Sequence, residues 1–437
     1  MLTTLKNAFK IKEIRQKLIF TFIMLVVIRI GSCIPVPGMQ TSLFTEWFKG
    51  MAGDSFSFFD AITGGSFANM TILALNINPY ITSSIIMQLL TIAIPKLEEM
   101  QRDGEDGRKK IAAITRYVTV ALALIQSTAM AVGFGRQGYL TEYNVMNIIT
   151  VIVTLTAGSA FLMWVGEQIT EHGVGNGISI VLVINIISRL PSDFAALFEQ
   201  FVFGKAPATA ILAAAIILAI VIAMVVLVIV LNDGTRKIPV QYAKKVQGRK
   251  MVGGQTANIP LKVNTSGVIP IIFAQSIMQL PIMISTFVGY NGTGVWGEIL
   301  KGLNSSYWCR ISQPVYSIGL LVYIALIVFF AYFYTSITFN PLMIADNMKK
   351  QGGFIPGIRP GKPTSDYLDK VLNYIVFIGA VGLIIVSVIP FIFSGVFGAN
   401  VSFGGTSLII IVSVVLETIK QIESQMLVRN YKGFLED

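Results

Sequence analysis

Apolar stretches close to the thickness of a bilayer's hydrocarbon core recur along the whole chain, and no other feature restricts its folding as strongly. They cover 18–35, 74–95, 111–133, 148–170, 176–190, 208–231, 266–288, 316–339, 371–393 and 405–425. Crossing hydrocarbon as a helix takes about 20 residues and pairs every backbone N–H and C=O within the segment. The clearest run is 208–231, dominated by Ala, Ile, Val and Leu and ending at Asn232-Asp233-Gly234. The weakest is 176–190, which is short and opens in His172-Gly173-Val174-Gly175-Asn176-Gly177. Charged residues make up 13% of the 437 and apolar residues 54%, whereas soluble domains run at about 25% charged. That is too little polar surface for a soluble enzyme. The fold class is therefore an all-α polytopic membrane protein with ten transmembrane helices, and an even number of spans puts both termini on one side.

The cations give the side. With the N-terminus inside, 25 Lys and Arg fall in inner segments and 6 in outer ones, while Arg29 and Arg116 lie within spans. Such a bias places both termini in the cytoplasm. Lys6, Lys10, Lys12, Arg15 and Lys17 before the first run resemble the start of a secretory signal. The run is of membrane-span length, however, carries Arg29 and meets Pro35-Val36-Pro37 without a small-x-small cleavage site, so it reads as a retained first helix.

Three segments stand apart from the spans. Inner loops 232–263 and 340–370 are long and basic, with turn residues and alternating apolar positions, as in Ile238-Pro239-Val240-Gln241-Tyr242. They read as structured, either as topology determinants alone or as a docking surface for an acidic protein or nucleic-acid phosphates. Segment 55–71 is apolar but too short to span, and lies outside, before the second run; a re-entrant or interfacial helix is the general expectation. Runs two and seven are interrupted at Asn78-Pro79-Tyr80 and Gly267-Val268-Ile269-Pro270. Each is the second run of a five-span half. Matching breaks suggest an inverted repeat with a pathway at its interface, although proline is tolerated in membrane helices anyway.

Catalytic chemistry has no foothold. No phosphate loop, HExxH pair or dinucleotide fingerprint occurs. His172 is the only histidine and Cys33 and Cys309 are far apart, so no metal or other cofactor is indicated. Arg29, Glu167, Glu171 and Glu417 sit near predicted span ends. A coupled carrier places a group that changes charge at the midplane, so an inverted-repeat secondary transporter of a small solute is the weaker alternative. Any energy source must then lie in a partner.

Ordered motifs add a resemblance. Arg236-Lys237-Ile238-Pro239-Val240-Gln241-Tyr242-Ala243-Lys244-Lys245, with Pro260-Leu261-Lys262-Val263-Asn264, closely resembles the SecY family of bacterial protein-translocase channels. Asn76-Ile77-Asn78-Pro79-Tyr80-Ile81, Gly104-Glu105-Asp106-Gly107-Arg108-Lys109 and Phe339-Asn340-Pro341 with Ala345-Asp346-Asn347 agree with it. So do Phe354-Ile355-Pro356-Gly357-Ile358-Arg359-Pro360-Gly361 and Gly404-Gly405-Thr406-Ser407. The match runs from the first span to the last.

The resemblance implies an hourglass channel of two pseudo-symmetric inverted halves, 1–190 and 191–437, that moves unfolded signal-bearing polypeptide across the cytoplasmic membrane or sideways into its lipids. By motif, a pore ring falls on Ile77, Ile81, Leu182, Ile186, Ile272 and Ile410, with Leu182 where the family often has Ile. Branched apolar side chains there would dewet a narrow waist. A plug falls on about 58–71, including Phe58, Phe59, Ile62, Gly64, Gly65, Phe67 and Asn69, with the glycine pair letting a short helix bend away. A lateral gate would carry Gln126 and Asn264, equally readable as ordinary interhelical hydrogen bonds. Implied partners are SecE and SecG, the SecA motor ATPase, and the ribosome with its RNA phosphates. Docking would fall on Lys244, Lys245, Arg249, Lys250 and Arg359.

Overall fold

The computed structural model describes residues 9–48, 60, 62–203, 207–242, 245–247, 250–252, 256–288, 294–310, 313–397 and 405–433. Helices dominate. They run α1 (Lys12–Gly31), α2 (Thr41–Trp47), α3 (Asn78–Ala93), α4 (Pro95–Arg102), α5 (Glu105–Arg136), α6 (Val145–His172), α7 (Gly177–Phe201) and α8 (Pro207–Asp233). After strands β1 (Thr235–Tyr242), β2 (Lys245–Gln247), β3 (Lys250–Val252) and β4 (Thr256–Lys262) come α9 (Ile269–Val288), α10 (Val295–Leu303), α11 (Ile318–Thr338) and α12 (Pro341–Lys350). Strand β5 (Gly353–Phe354), α13 (Lys362–Phe397) and α14 (Gly405–Gly433) close the order.

Each of the ten apolar runs coincides with a helix, and the polytopic helical class stands. Among the described residues six helices are long and apolar enough to cross a membrane. A seventh is counted when α3 and α4, bent by 107° at their break, are taken as one span. The bend has a local cause: Pro95 pushes Ile94 out of the helical region, to φ −113° and ψ 110°. The break expected within run two is the start of α3 itself. Asn78 opens the helix, Pro79 sits in its first turn, and residues 72–77 run as turns. Run five is longer than the sequence suggests, because α7 passes through Pro191 and ends at Phe201.

The chain divides into two compact units. The first holds Met1–Ala196, Ile282–Glu298 and Val414–Asp437; the second holds Leu197–Pro281 and Ile299–Ser413. In the first, an aromatic core forms around Phe44, which meets Phe67, Phe134 and Tyr139 edge to face at centroid distances of 5.0 to 5.9 Å. Burial pushes the Tyr139 phenol above its ordinary range. Hydroxyls tie the helices together: Ser83 Oγ donates to Thr115 O at 2.8 Å, and Ser127 and Thr156 share a 2.9 Å bond. In the second unit, Trp308, Tyr323, Ile327, Leu383 and Val386 form a buried core, with Trp308 Nε1 donating to Gly302 O at 2.7 Å.

The two inner loops fold together in the second unit. Strand β1 pairs antiparallel with β4 and with β5, giving the order β4-β1-β5. Ile238 and Val240 point inward from β1, while Lys237, Pro239 and Gln241 face out, as the alternation requires; Arg236, on the Ile238 side, is exposed at the start of the strand. Leu261, Met348, Ile355, Leu368 and Val371 complete that core. Helix α12 starts on a strong cap: Asn340 Oδ1 accepts from the N–H groups of Leu342 and Met343, with Pro341 next in line.

One close approach fixes the first unit. A Cβ on Gly158 of α6 would stand 1.9 Å from the Ile72 carbonyl oxygen. The Gly158→Ala variant should therefore lose about 1–3 kcal/mol of stability, read as a lowered melting temperature in detergent. An unchanged melt would mean the two segments have room to part.

Candidate functional site

Asn76 organises the first unit's polar interior. It takes a left-handed φ of 52°, which asparagine tolerates better than most residues. Its Nδ2 donates to Ile62 O at 2.9 Å, its Oδ1 accepts from Asn185 Nδ2 at 3.1 Å, and its own carbonyl accepts from Ser159 Oγ at 3.0 Å. All three partners' residues are buried. One side chain and its backbone thus join the 62–71 segment, α6 and α7.

This hub sets four of the expected ring residues. Ile77 follows Asn76, and Ile81 lies one turn on, its N–H donating to Ile77 O at 3.1 Å. On α7, Leu182 and Ile186 stand one turn apart on either side of Val183, Ile184 and Asn185. The Asn76–Asn185 bond therefore brings both pairs into one neighbourhood. Ile77, Leu182 and Ile186 are buried and Ile81 is half-buried. The other two expected members belong to the second unit: Ile272, half-buried on α9, and Ile410, buried on α14.

Segment 62–71 is turned chain and short helix, packed inside the first unit. Ile62, Thr63, Ser66, Phe67 and Met70 are buried, and Asn69 is exposed. Gly64 and Gly65 take φ of +66° and +85°. A Cβ on Gly64 would meet Asn185 O at 2.6 Å and Ser188 Oγ at 2.9 Å, so the glycine is needed for close contact with α7 as well as for the turn. Phe58 and Phe59 lie outside the described residues.

Asp60 is fully buried. Its Oδ1 accepts from the Ala68 N–H at 2.9 Å, and its Oδ2 forms an ion pair with Arg189 Nη1. Arg189 Nε also lies 3.6 Å from Asp193 Oδ1. Sequence reading missed this pair, having counted Arg189 as an outer cation and passed over Asp60. A signal existed: a carboxylate within an apolar segment is a site in waiting, with a cation to be sought. A second ion pair, Arg116 Nε to Glu167 Oε1 at 2.7 Å, joins α5 to α6.

Of the expected gate pair, Gln126 is half-buried on α5. Asn264 is buried in the second unit, where its Nδ2 donates to Asn232 Oδ1 at 3.0 Å, and Asn232 Nδ2 donates to Ser413 Oγ at 2.7 Å. Of the docking cations, Arg359 is exposed just after β5, and its carbonyl accepts from Thr364 Oγ1 at 2.8 Å. Lys245 and Lys250 lie on the paired strands β2 and β3. Lys244 and Arg249 lie outside the described residues.

Comparison with known proteins adds what geometry cannot. The SecY family model matches residues 71–419. The chain belongs to the SecY family. It is 42% identical to the protein translocase subunit SecY of Streptomyces galbus over the full length of both chains. In fold it is similar to SecY and Sec61 channels. The solved structure of a protein conducting channel matches it at TM-score 0.62 and 20% identity, over 94% of this chain and 92% of that one. Sec61 in the canine ribosome-channel complex matches at TM-score 0.61 and 19% identity with the same coverage.

Because Asn76 and Asn185 satisfy each other in a buried setting, removing either leaves a stranded polar group. Asn76→Ala and Asn185→Ala should each cost about 1–3 kcal/mol, with the double variant costing less than their sum. Denaturation in mixed micelles reads the cycle. Strict additivity would show that the bond does not couple them.

Proposed function

We propose that this chain is the channel subunit of a bacterial protein translocase, passing unfolded signal-bearing polypeptides across the cytoplasmic membrane or releasing them laterally into lipid. The observation that carries the reading is full-length 42% identity to a protein translocase subunit. Ten helices cross the membrane in two inverted halves, 1–190 and 191–437, with both termini in the cytoplasm, in keeping with the lysine and arginine bias.

Ile77, Ile81, Leu182, Ile186, Ile272 and Ile410 act as the constriction. Six branched side chains resist ions by excluding water, yet deform around a passing chain without selecting its sequence. Segment 58–71 is the plug over that constriction, and Gln126 and Asn264 border the lateral gate. A polar contact there costs little to open when water or a signal helix replaces it.

The protein is not an enzyme. Work comes from a motor ATPase of the SecA type or from a translating ribosome, held beside SecE and SecG. The structured basic face of β1, β4, β5 and α12 supports that role. Exposed Arg236, Lys237, Lys349, Lys350 and Arg359 suit acidic protein surfaces and RNA phosphates, and Lys244, Lys245, Arg249 and Lys250 in the same stretch of sequence add to the proposed docking charge.

Proteoliposomes holding the subunit with its partner subunits and motor should protect a signal-bearing precursor from external protease while taking up no small solute. In the same assay Arg359→Glu should cut motor-driven protection at least about tenfold, as loss of a docking cation would, with insertion of the channel unchanged. Solute uptake without precursor protection would overturn the reading in favour of a carrier.

A further inference from the structure

A buried carboxylate in the proposed plug, paired with a cation on α7, is hard to explain as packing alone. Asp60 is fully buried and Arg189 is about three-quarters so. Removing both charges from water carries a penalty that their attraction offsets only with good geometry and extra hydrogen bonds. One such bond reaches the carboxylate, from Ala68 N–H to Asp60 Oδ1, while the Asp60 backbone carbonyl accepts from Gly65 N–H and Thr63 Oγ1 at 3.1 Å each and shapes the turn. Asp60 therefore organises the turn it belongs to and ties that turn to α7 through Arg189. The Gly64–Asn185 contact and the Asn76 bond to Ile62 O hold the same segment against the same helix.

We propose that Asp60 and Arg189 form an electrostatic latch that sets how readily segment 60–71 leaves its seat on α7, and so sets the threshold at which the channel opens. This rests on the plug reading above. In the seated state Arg189 is the cation paired with Asp60, and it is shared with Asp193. When the segment swings into an aqueous funnel both ions hydrate, so the open state loses little. The balance therefore shifts sharply when one partner is removed: the remaining charge is stable in water but not in the seat. Asp193, beside Arg189, keeps the guanidinium oriented when the segment is away. Phe67, packed on Phe44 and Phe48, is the main apolar contact that must part when the segment leaves.

The test uses the complete translocase in a Cys33→Ser, Cys309→Ser background, with Ile62→Cys as a reporter on the buried face of the segment itself. A membrane-impermeant maleimide probes it with and without an arrested precursor, and resting ion conductance is recorded alongside. The latch predicts slow resting modification, and fast modification when a precursor is arrested. Arg189→Gln should raise both the resting rate and the conductance about tenfold or more. The exchanged pair Asp60→Arg with Arg189→Asp should return both toward the parent, a rescue that mere damage to packing would not give.

If Arg189→Gln leaves the reporter shielded and the conductance low while the precursor still exposes it, the latch is overturned and the plug reading survives. If the exchanged pair stays as leaky as the single variant, the electrostatic account is also overturned. A reporter that stays shielded even with an arrested precursor overturns the plug reading itself.

Discussion

Hydrocarbon offers no hydrogen bonds, and that single deficit shapes this protein from its backbone to its interior asparagines. It forces the ten apolar runs into helices. It also directs hydroxyls in those helices back onto their own backbone, as Thr119 Oγ1 does to Thr115 O at 2.7 Å, Thr335 Oγ1 to Ala331 O at 2.8 Å and Ser387 Oγ to Leu383 O at 2.8 Å. Where the chain must leave helical geometry within an apolar setting, side chains take over the pairing. Residues 72–77 do so around Asn76, whose amide and carbonyl meet three other segments.

The same deficit makes irregular backbone informative. A turn in hydrocarbon is tolerated only where protein surrounds it or water reaches it. Segment 62–77 meets the first condition through Asn76, Asp60 and Gly64. Its stability is therefore bought with polar contacts, which water can replace, rather than with apolar burial alone. A segment held in that way can be both ordered at rest and displaceable, as a plug must be. The basic sheet face lies at the opposite extreme. Its alternation of Ile238 and Val240 with Lys237, Pro239 and Gln241 gives a buried inner layer under an exposed polar one.

Much of this was legible in the sequence because the governing patterns are local. Run length located all ten helices. Alternating apolar positions marked the stretch that forms β1. Motif resemblance supplied the channel family, and it alone suggests the six proposed ring positions, which periodicity could never separate from ordinary lipid-facing or core residues. What stayed hidden depended on contacts distant in sequence. Asp60 and Arg189 are more than a hundred residues apart, as are Asn76 and Asn185, and nothing in either neighbourhood names the other. The end of α7 was missed for a different reason: Pro191 reads as a terminator, yet the helix carries on through it. The pairing of β1 with β5 likewise needed two loops, separated by three α-helices, to be seen together.

The central proposal is that Ile77, Ile81, Leu182, Ile186, Ile272 and Ile410 act as the constriction for a passing polypeptide. Photoreactive side chains placed singly at Ile81, Ile186, Ile272 and Ile410 would test it most directly, with a precursor arrested during export. The account predicts that all four label the same arrested chain and that none does so when no precursor is engaged. Labelling confined to the positions of one unit, or directed to lipid at all four, would contradict it.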